Sequence, residues 1–142
     1  MRSLKQLFIC FLLTLCFSHA AKLSAQTSEG HIYTVTTMKI PLEKIDEFLG
    51  NWEKYVTPTI KKNEYIVSEK LLTHIWGPEW TVLLIDEYKT WNDIDASDKR
   101  YEELFKAAEP DKDKRMEIGK IFTPYYNGHS DAIVMEQIQL TK

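Results

Sequence analysis

The chain has 142 residues and a formal net charge of −3; 44% of its residues are hydrophobic and 12% are aromatic. This length and this apolar fraction fit one globular domain with a core of its own. An acidic balance without a basic cluster argues against a protein that binds nucleic acid or an anionic membrane.

The first 25 residues are typical of a secretory signal peptide. A short basic start (residues 1–6) is followed by an apolar run (residues 7–17) and then by small and polar residues. This order defines a signal peptide, and the run is shorter than the roughly 20 residues that span a bilayer. We therefore expect cleavage after Ala25, with Ala20 as the alternative, and a periplasmic or secreted product with no membrane attachment.

Cleavage changes what the mature chain contains. Removing 25 of the 142 residues leaves 117, and both cysteines, Cys10 and Cys16, leave with the signal. The mature domain would therefore have no disulfide and no cysteine metal ligand. The signal also carries three basic residues and no acidic ones, so its loss takes the net charge from −3 to −6. Residues 26–30 read as a flexible leader and residues 31–142 as a single domain.

The mature chain alternates strand and helix patterns in the order βαββαβ. Strands are predicted over residues 31–40, 64–76, 80–88 and 131–140 from their β-branched and aromatic content. One helix is predicted over residues 42–56, ended or kinked near Val56 by Pro58. Another begins at Thr90, which forms a capping pattern with Asp93, and is broken at Pro110.

This order predicts a ferredoxin-like α+β fold. Its antiparallel sheet would run 4-1-3-2, with both helices on one face. Residues 82–85 (VLLI) are apolar on both faces of the third strand, whereas a half-exposed strand would alternate. Because the helices can cover only one face, we expect a second copy of the sheet to cover the other. The sequence thus predicts a homodimer whose two sheets close into a shared barrel.

With this order, segments 74–80 (HIWGPEW), 86–91 (DEYKTW) and 129–131 (HSD) resemble the dimeric α/β-barrel superfamily. That group includes antibiotic-biosynthesis-monooxygenase-like, NIPSNAP-like and EthD-like domains. The resemblance covers about residues 31–141 and lies in the topology and in the types of residue found in these segments. It implies a dimer with a cavity between sheet and helices. It implies no single reaction, since members include cofactor-free oxygenases, haem-degrading enzymes and decarboxylases.

The topology gathers aromatic and titratable side chains at one end of the sheet. An aromatic mouth with a few polar groups is the usual composition of a small-molecule pocket. The predicted ligand-binding residues are His74, Trp76, Trp80, Tyr125 and Tyr126, with Lys39 nearby. Each has a structural alternative: the tryptophans as a cross-strand pair, His74 as a hydrogen-bonded structural residue, and the tyrosines as loop anchors.

His129 and Asp131 are the predicted catalytic residues. Asp131 could orient one ring nitrogen of His129 and leave the other as a base near neutral pH. Alternatively, Ser130 or Asp131 caps the turn into the last strand. Asp86 and Glu87 lie at a strand end, where one of them must face solvent or an ion pair.

No metal and no cofactor is predicted. His74 and His129 would lie three strand spacings apart, roughly 14 Å, which is too far to share a zinc ion. The chain has no glycine-rich phosphate loop and no nucleotide fingerprint. The leading hypothesis is an exported homodimer that binds a small apolar or aromatic molecule in its cavity. The alternative is a cofactor-independent oxygenase or isomerase with His129 or His74 as general base.

Overall fold

Four strands form the sheet of this domain, in which the computed structural model describes residues 30–76 and 81–141. They are β1 (Ile32–Met38), β2 (Ser68–Thr73), β3 (Val82–Tyr88) and β4 (Ser130–Met135). Each is shorter than its predicted segment. The predicted signal peptide lies outside the described residues, as does most of the leader.

The sheet is antiparallel throughout, with the order β2-β3-β1-β4. This is the predicted 4-1-3-2 order read from the other edge, and the ferredoxin-like α+β class is confirmed. The paired β1 and β3 form the centre, where Thr34 lies opposite Asp86 and Thr36 opposite Leu84. The two central strands therefore present these four side chains to the same face of the sheet.

Two predicted strand limits were wrong for identifiable reasons. Strand β2 begins at Ser68 rather than near residue 64, because the buried Asn63 fixes a turn there: its Nδ2 donates to the Ser97 carbonyl oxygen at 3.0 Å and its Oδ1 accepts from the Tyr65 amide at 3.2 Å. Strand β4 pairs with β1 only as far as β1 extends. Its last backbone bond runs from the Glu136 amide to the His31 carbonyl oxygen, and a 3₁₀ turn follows.

The helices pack on one face of the sheet and lie close to their predicted limits, although the first was expected from residue 42 and Leu42–Lys44 instead form a 3₁₀ turn. Helix α1 (Ile45–Tyr55) is followed by the single turn α2 (Thr57–Ile60), so Pro58 falls in a first turn, where proline is tolerated. Helix α3 (Trp91–Ala108) begins with the predicted capping box, in which the Thr90 amide donates to Asp93 Oδ2 at 2.9 Å. Helix α4 (Lys112–Phe122) follows the break at Pro110.

The hydrophobic core lies between the sheet and helices α1 and α4. Its most deeply buried side chains are Met38, Ile40, Phe48 and Val82. Phe48 makes edge-to-face ring contacts with Phe122 at 6.2 Å and with Tyr125 at 5.1 Å, an arrangement that aromatic quadrupoles favour. Within the described residues, no helix is long and apolar enough to span a membrane.

Among the residues that the structure describes, no helix packs on the opposite face of the sheet. We call it the open face and define it by the apolar side chains Val35, Leu72, Leu83, Ile85 and Val134. Leu72 and Val134 are 45% and 46% exposed. The two-sided apolar character of residues 82–85 has this origin: Val82 and Leu84 enter the core, whereas Leu83 and Ile85 belong to the open face.

Candidate functional site

A cavity of about 560 Å³ lies between the helix-covered face of the sheet and helices α1, α3 and α4. We call it the sheet–helix cavity. Its volume falls within the range of pockets that hold small molecules, and its walls are largely aromatic. The aromatic wall residues are Trp52, Tyr101, Phe105, Phe122 and Tyr126.

Ring packing holds these walls in place. Trp52 and Phe122 meet edge to face with centroids 5.9 Å apart, which joins α1 to α4. Tyr101 and Phe105, one turn apart on α3, stack at 5.9 Å. The first contact joins two helices and the second lies within a third, so helices rather than loops carry most of the aromatic wall.

Two carboxyl groups, Glu69 on β2 and Asp86 on β3, form the polar floor of the cavity. They are direct cross-strand partners on the helix-covered face. Trp52 Nε1 donates to Glu69 Oε1 at 3.2 Å, and Thr34 Oγ1 donates to Asp86 Oδ2 at 3.4 Å. Asp86 Oδ1 is buried and has no hydrogen-bond partner within the described residues.

Burial changes the ionisation of this floor. It raises the pKa of Asp86 to about 7, and the nearby Glu69 carboxylate adds to the effect. Burial also raises the pKa of Glu69, while the hydrogen bond from Trp52 acts in the opposite direction. The pKa of Tyr101 rises to about 12, chiefly through burial. The floor can therefore exchange a proton near neutral pH, whereas the Tyr101 phenol stays protonated.

The predicted pair His129 and Asp131 lies at the edge of the sheet, beside the cavity rather than in it. His129 Nε2 contacts Asp131 Oδ2 at 2.9 Å, as the sequence analysis expected, and Thr36 Oγ1 donates to Asp131 Oδ1 at 2.6 Å. His129 Nδ1 contacts the Tyr126 carbonyl oxygen. Both ring nitrogens therefore face protein acceptors, and the role of His129 as a base stays a prediction.

The two predicted tyrosines take different positions. Tyr125 is buried in the core against Phe48, which matches its structural alternative as an anchor. Tyr126 lines the sheet–helix cavity, and its ring meets the His129 ring edge to face at 5.4 Å. Tyr126 is thus the member of the predicted set that contributes to the cavity wall.

Of the remaining predicted residues that the structure describes, His74, Trp76 and Lys39 do not line the cavity. Trp76 is 93% exposed, and its carbonyl oxygen contacts His74 Nε2. Lys39 lines a separate groove beside Tyr125. Trp80 lies outside the described residues. Within the part of the chain that the structure describes, no three His, Cys, Asp or Glu side chains are grouped so that they could hold a metal ion.

Sequence reasoning missed Glu69 as a site residue and gave Asp86 little weight. A usable signal existed: in β3, Asp86 alternates with Val82 and Leu84 and so had to share their buried face. Its neighbour Glu87 meets the expectation of an ion pair at the strand end, because its carboxylate contacts His31 and accepts a hydrogen bond from Ser68.

The ferredoxin-like α+β fold of this protein is also found in several solved structures. An uncharacterised NIPSNAP domain protein from Burkholderia xenovorans has a TM-score of 0.55 at 16% identity, over 79% of this chain and 99% of that one. A protein provisionally assigned as an antibiotic biosynthesis monooxygenase from Caulobacter crescentus has a TM-score of 0.52 at 16% identity, over 76% and 91%.

A third solved structure is described as a dimeric ferredoxin-like protein from an uncultured marine organism. It has a TM-score of 0.56 at 6% identity and covers 80% of this chain and 93% of that one. These similarities show that the chain shares its fold with NIPSNAP-type and monooxygenase-type proteins of the kind that the sequence resembles. No family model and no curated protein sequence matches the chain.

Proposed function

We propose that this protein is exported, pairs with a second copy through the open face, and binds a small apolar or aromatic molecule in the sheet–helix cavity. The observation that carries the proposal is the cavity itself. It has the volume of a small-molecule site, walls with five aromatic side chains, and a polar floor with a buried carboxyl oxygen that has no partner among the described residues.

Binding is favoured by the chemistry of the walls. An apolar or aromatic ligand that enters this space removes its own surface from water, at about 25 cal/mol per Å². The protonated phenol of Tyr101 and the carboxyl groups of the floor supply the few polar contacts that fix the orientation of a ligand.

Pairing follows from the composition of the open face. Its five apolar side chains lie on one face of the sheet and come from all four strands, and soluble monomers rarely leave large contiguous apolar patches exposed. Two such faces packed together would bury these side chains in both copies. The marine structure that is described as dimeric has the same fold, which supports this arrangement.

The pairing is tested by Leu83→Glu, which places a charge in the centre of the open face. Sedimentation velocity at micromolar concentration should show a dimer for the unchanged protein and a monomer or aggregate for Leu83→Glu. Leu42→Glu is the matched control, because Leu42 is 76% exposed and lies outside the sheet. A monomeric unchanged protein, or a Leu83→Glu variant that dimerises normally, would show that the open face is not the interface.

A further inference from the structure

The sheet–helix cavity has an unbalanced charge. Its floor carries Glu69 and Asp86, and among the described residues that line it none is lysine, arginine or histidine. A buried carboxylate is normally paired with a cation or hydrogen-bonded at every oxygen. Within residues 30–76 and 81–141, one oxygen of Asp86 is buried with no hydrogen-bond partner, and the other accepts only a long bond from Thr34.

Every titratable group that acts strongly on Asp86 is acidic or phenolic. Glu69 faces it from β2 and Asp98 from α3. Tyr88, two residues further along β3, and Tyr126 beyond α4 are influenced by the Asp86 charge in turn. None of these groups carries a positive charge, so the ionised form of the floor has no counterion among the described residues around it.

We propose that the ligand of the sheet–helix cavity is a small organic cation, an amine or quaternary ammonium attached to an apolar or aromatic body, with Glu69 and Asp86 as its counterions. This inference rests on the proposed function, since it names the class of molecule that the same cavity binds. The positive group lies over the floor, next to the carboxyl groups of Glu69 and Asp86.

The walls suit the same class of ligand. Trp52, Tyr101 and Tyr126 are electron-rich rings that surround the floor, and a cation close to the face of such a ring is attracted by its quadrupole. Desolvation strengthens that attraction. The apolar body of the ligand would lie against Phe105 and Phe122. Carboxylates and aromatic faces together favour an organic cation over a divalent metal ion, which prefers oxygen ligands on most sides.

Binding and proton release are coupled in this arrangement. Below pH 7, Asp86 holds a proton in the free protein, because burial disfavours its charge. A bound cation stabilises the carboxylate and displaces that proton. If only the ionised form binds, affinity should rise roughly thirtyfold between pH 5.5 and pH 8 for a group that titrates near 7. A neutral ligand of the same shape should show no such rise.

The test is calorimetric titration of the full mature protein with three probes of similar shape: benzylamine, benzyltrimethylammonium and benzyl alcohol. A charge-assisted contact corresponds to about a 10- to 100-fold preference, so both cations should bind more tightly than the alcohol by this factor at pH 8. Benzyltrimethylammonium keeps its charge at every pH. Any change of its affinity with pH therefore reports on the ionisation of the protein alone.

Variants of Asp86 and Glu69 test whether the preference for cations over benzyl alcohol depends on the carboxyl groups of the floor. Asp86→Asn and Glu69→Gln should each reduce it by about tenfold or more and flatten the pH dependence of benzyltrimethylammonium binding. Asp95→Asn is the matched control, because Asp95 is exposed on α3 and does not line the cavity. Thermal unfolding establishes that each variant is folded before titration.

The outcomes separate the two proposals. If no probe binds, both the cavity function and the cation inference fail. If benzyl alcohol binds as tightly as the cations, the cavity function stands and the cation inference is overturned. A cation preference that survives in both Asp86→Asn and Glu69→Gln would place the recognition elsewhere and also overturn the inference. Loss of preference in these variants, with retention in Asp95→Asn, supports it.

Discussion

Asp86 should make the stability of this protein fall as the pH rises. The folded protein holds the pKa of this carboxyl at about 7, whereas an unperturbed aspartate titrates at 3.8. Between these values the folded state binds one proton more than the unfolded state, so the free energy of unfolding decreases with increasing pH. The stabilising contribution is fully present below about pH 4 and is lost by the time the pH has passed 7.

The two pKa values set the size of the effect. They differ by about three, and each pH unit corresponds to about 1.4 kcal/mol, which gives an upper value of about 4 kcal/mol. Since the side chain is not completely shielded from water, we expect a measured loss of about 2–4 kcal/mol. A loss of this size is a large fraction of the stability of a small domain.

The perturbation is Asp86→Asn, which keeps the shape of the side chain and removes its charge. Urea unfolding of the variant and the unchanged protein should give free energies that differ by no more than about 1 kcal/mol at pH 4.5, where most of the Asp86 contribution is still present. At pH 8 the variant should be more stable by about 2–4 kcal/mol. Subunit concentration is kept constant, because the stability of a dimer depends on it. The difference in unfolding free energy between the two proteins removes the pH-dependent contributions of carboxyl groups far from residue 86, because both proteins share them.

Asp95→Asn is the control, because this carboxyl is exposed and its removal should change stability by less than about 0.5 kcal/mol at either pH. Glu69→Gln should show part of the Asp86→Asn effect, since the two carboxyl groups repel each other across β2 and β3. A difference between Asp86→Asn and the unchanged protein that stays constant from pH 4.5 to pH 8 would refute the burial of an ionisable Asp86.

Two further predictions concern a close backbone contact and the N-terminus. Gly30→Ala should lower the free energy of unfolding by more than 1 kcal/mol, because a Cβ atom at this position would lie 2.2 Å from the Glu136 carbonyl oxygen. Gly50→Ala in α1, with open space around its Cβ, should instead be neutral or stabilising by about 0.5–1 kcal/mol; equal effects in urea unfolding would contradict this account. Protein recovered after export should begin at Gln26, or at Ala21 as second choice, and an intact mass that includes Met1 would exclude cleavage.

Local patterns in the sequence were sufficient for most of the fold. The capping pair Thr90 and Asp93, the break at Pro110 and the apolar spacing of α1 act within a few residues, so they could be read without knowledge of the rest of the chain. The βαββαβ order then leaves few sheet topologies, and the predicted one is present. The limits of the strands were less predictable, because they depend on residues far away in the sequence. The start of β2, for example, follows a turn that the hydrogen bond from Asn63 to Ser97 holds in place.

The candidate site depended on the tertiary structure. The sequence alone determined that His129 and Asp131 could meet, since a two-residue spacing brings them within reach, and they do. Glu69 and Asp86 are far apart in sequence and become partners only through the register of β2 on β3. Their burial depends on α1 and α3 as well. A carboxyl group acquires an altered pKa from everything packed around it, and that environment exists only in the folded chain.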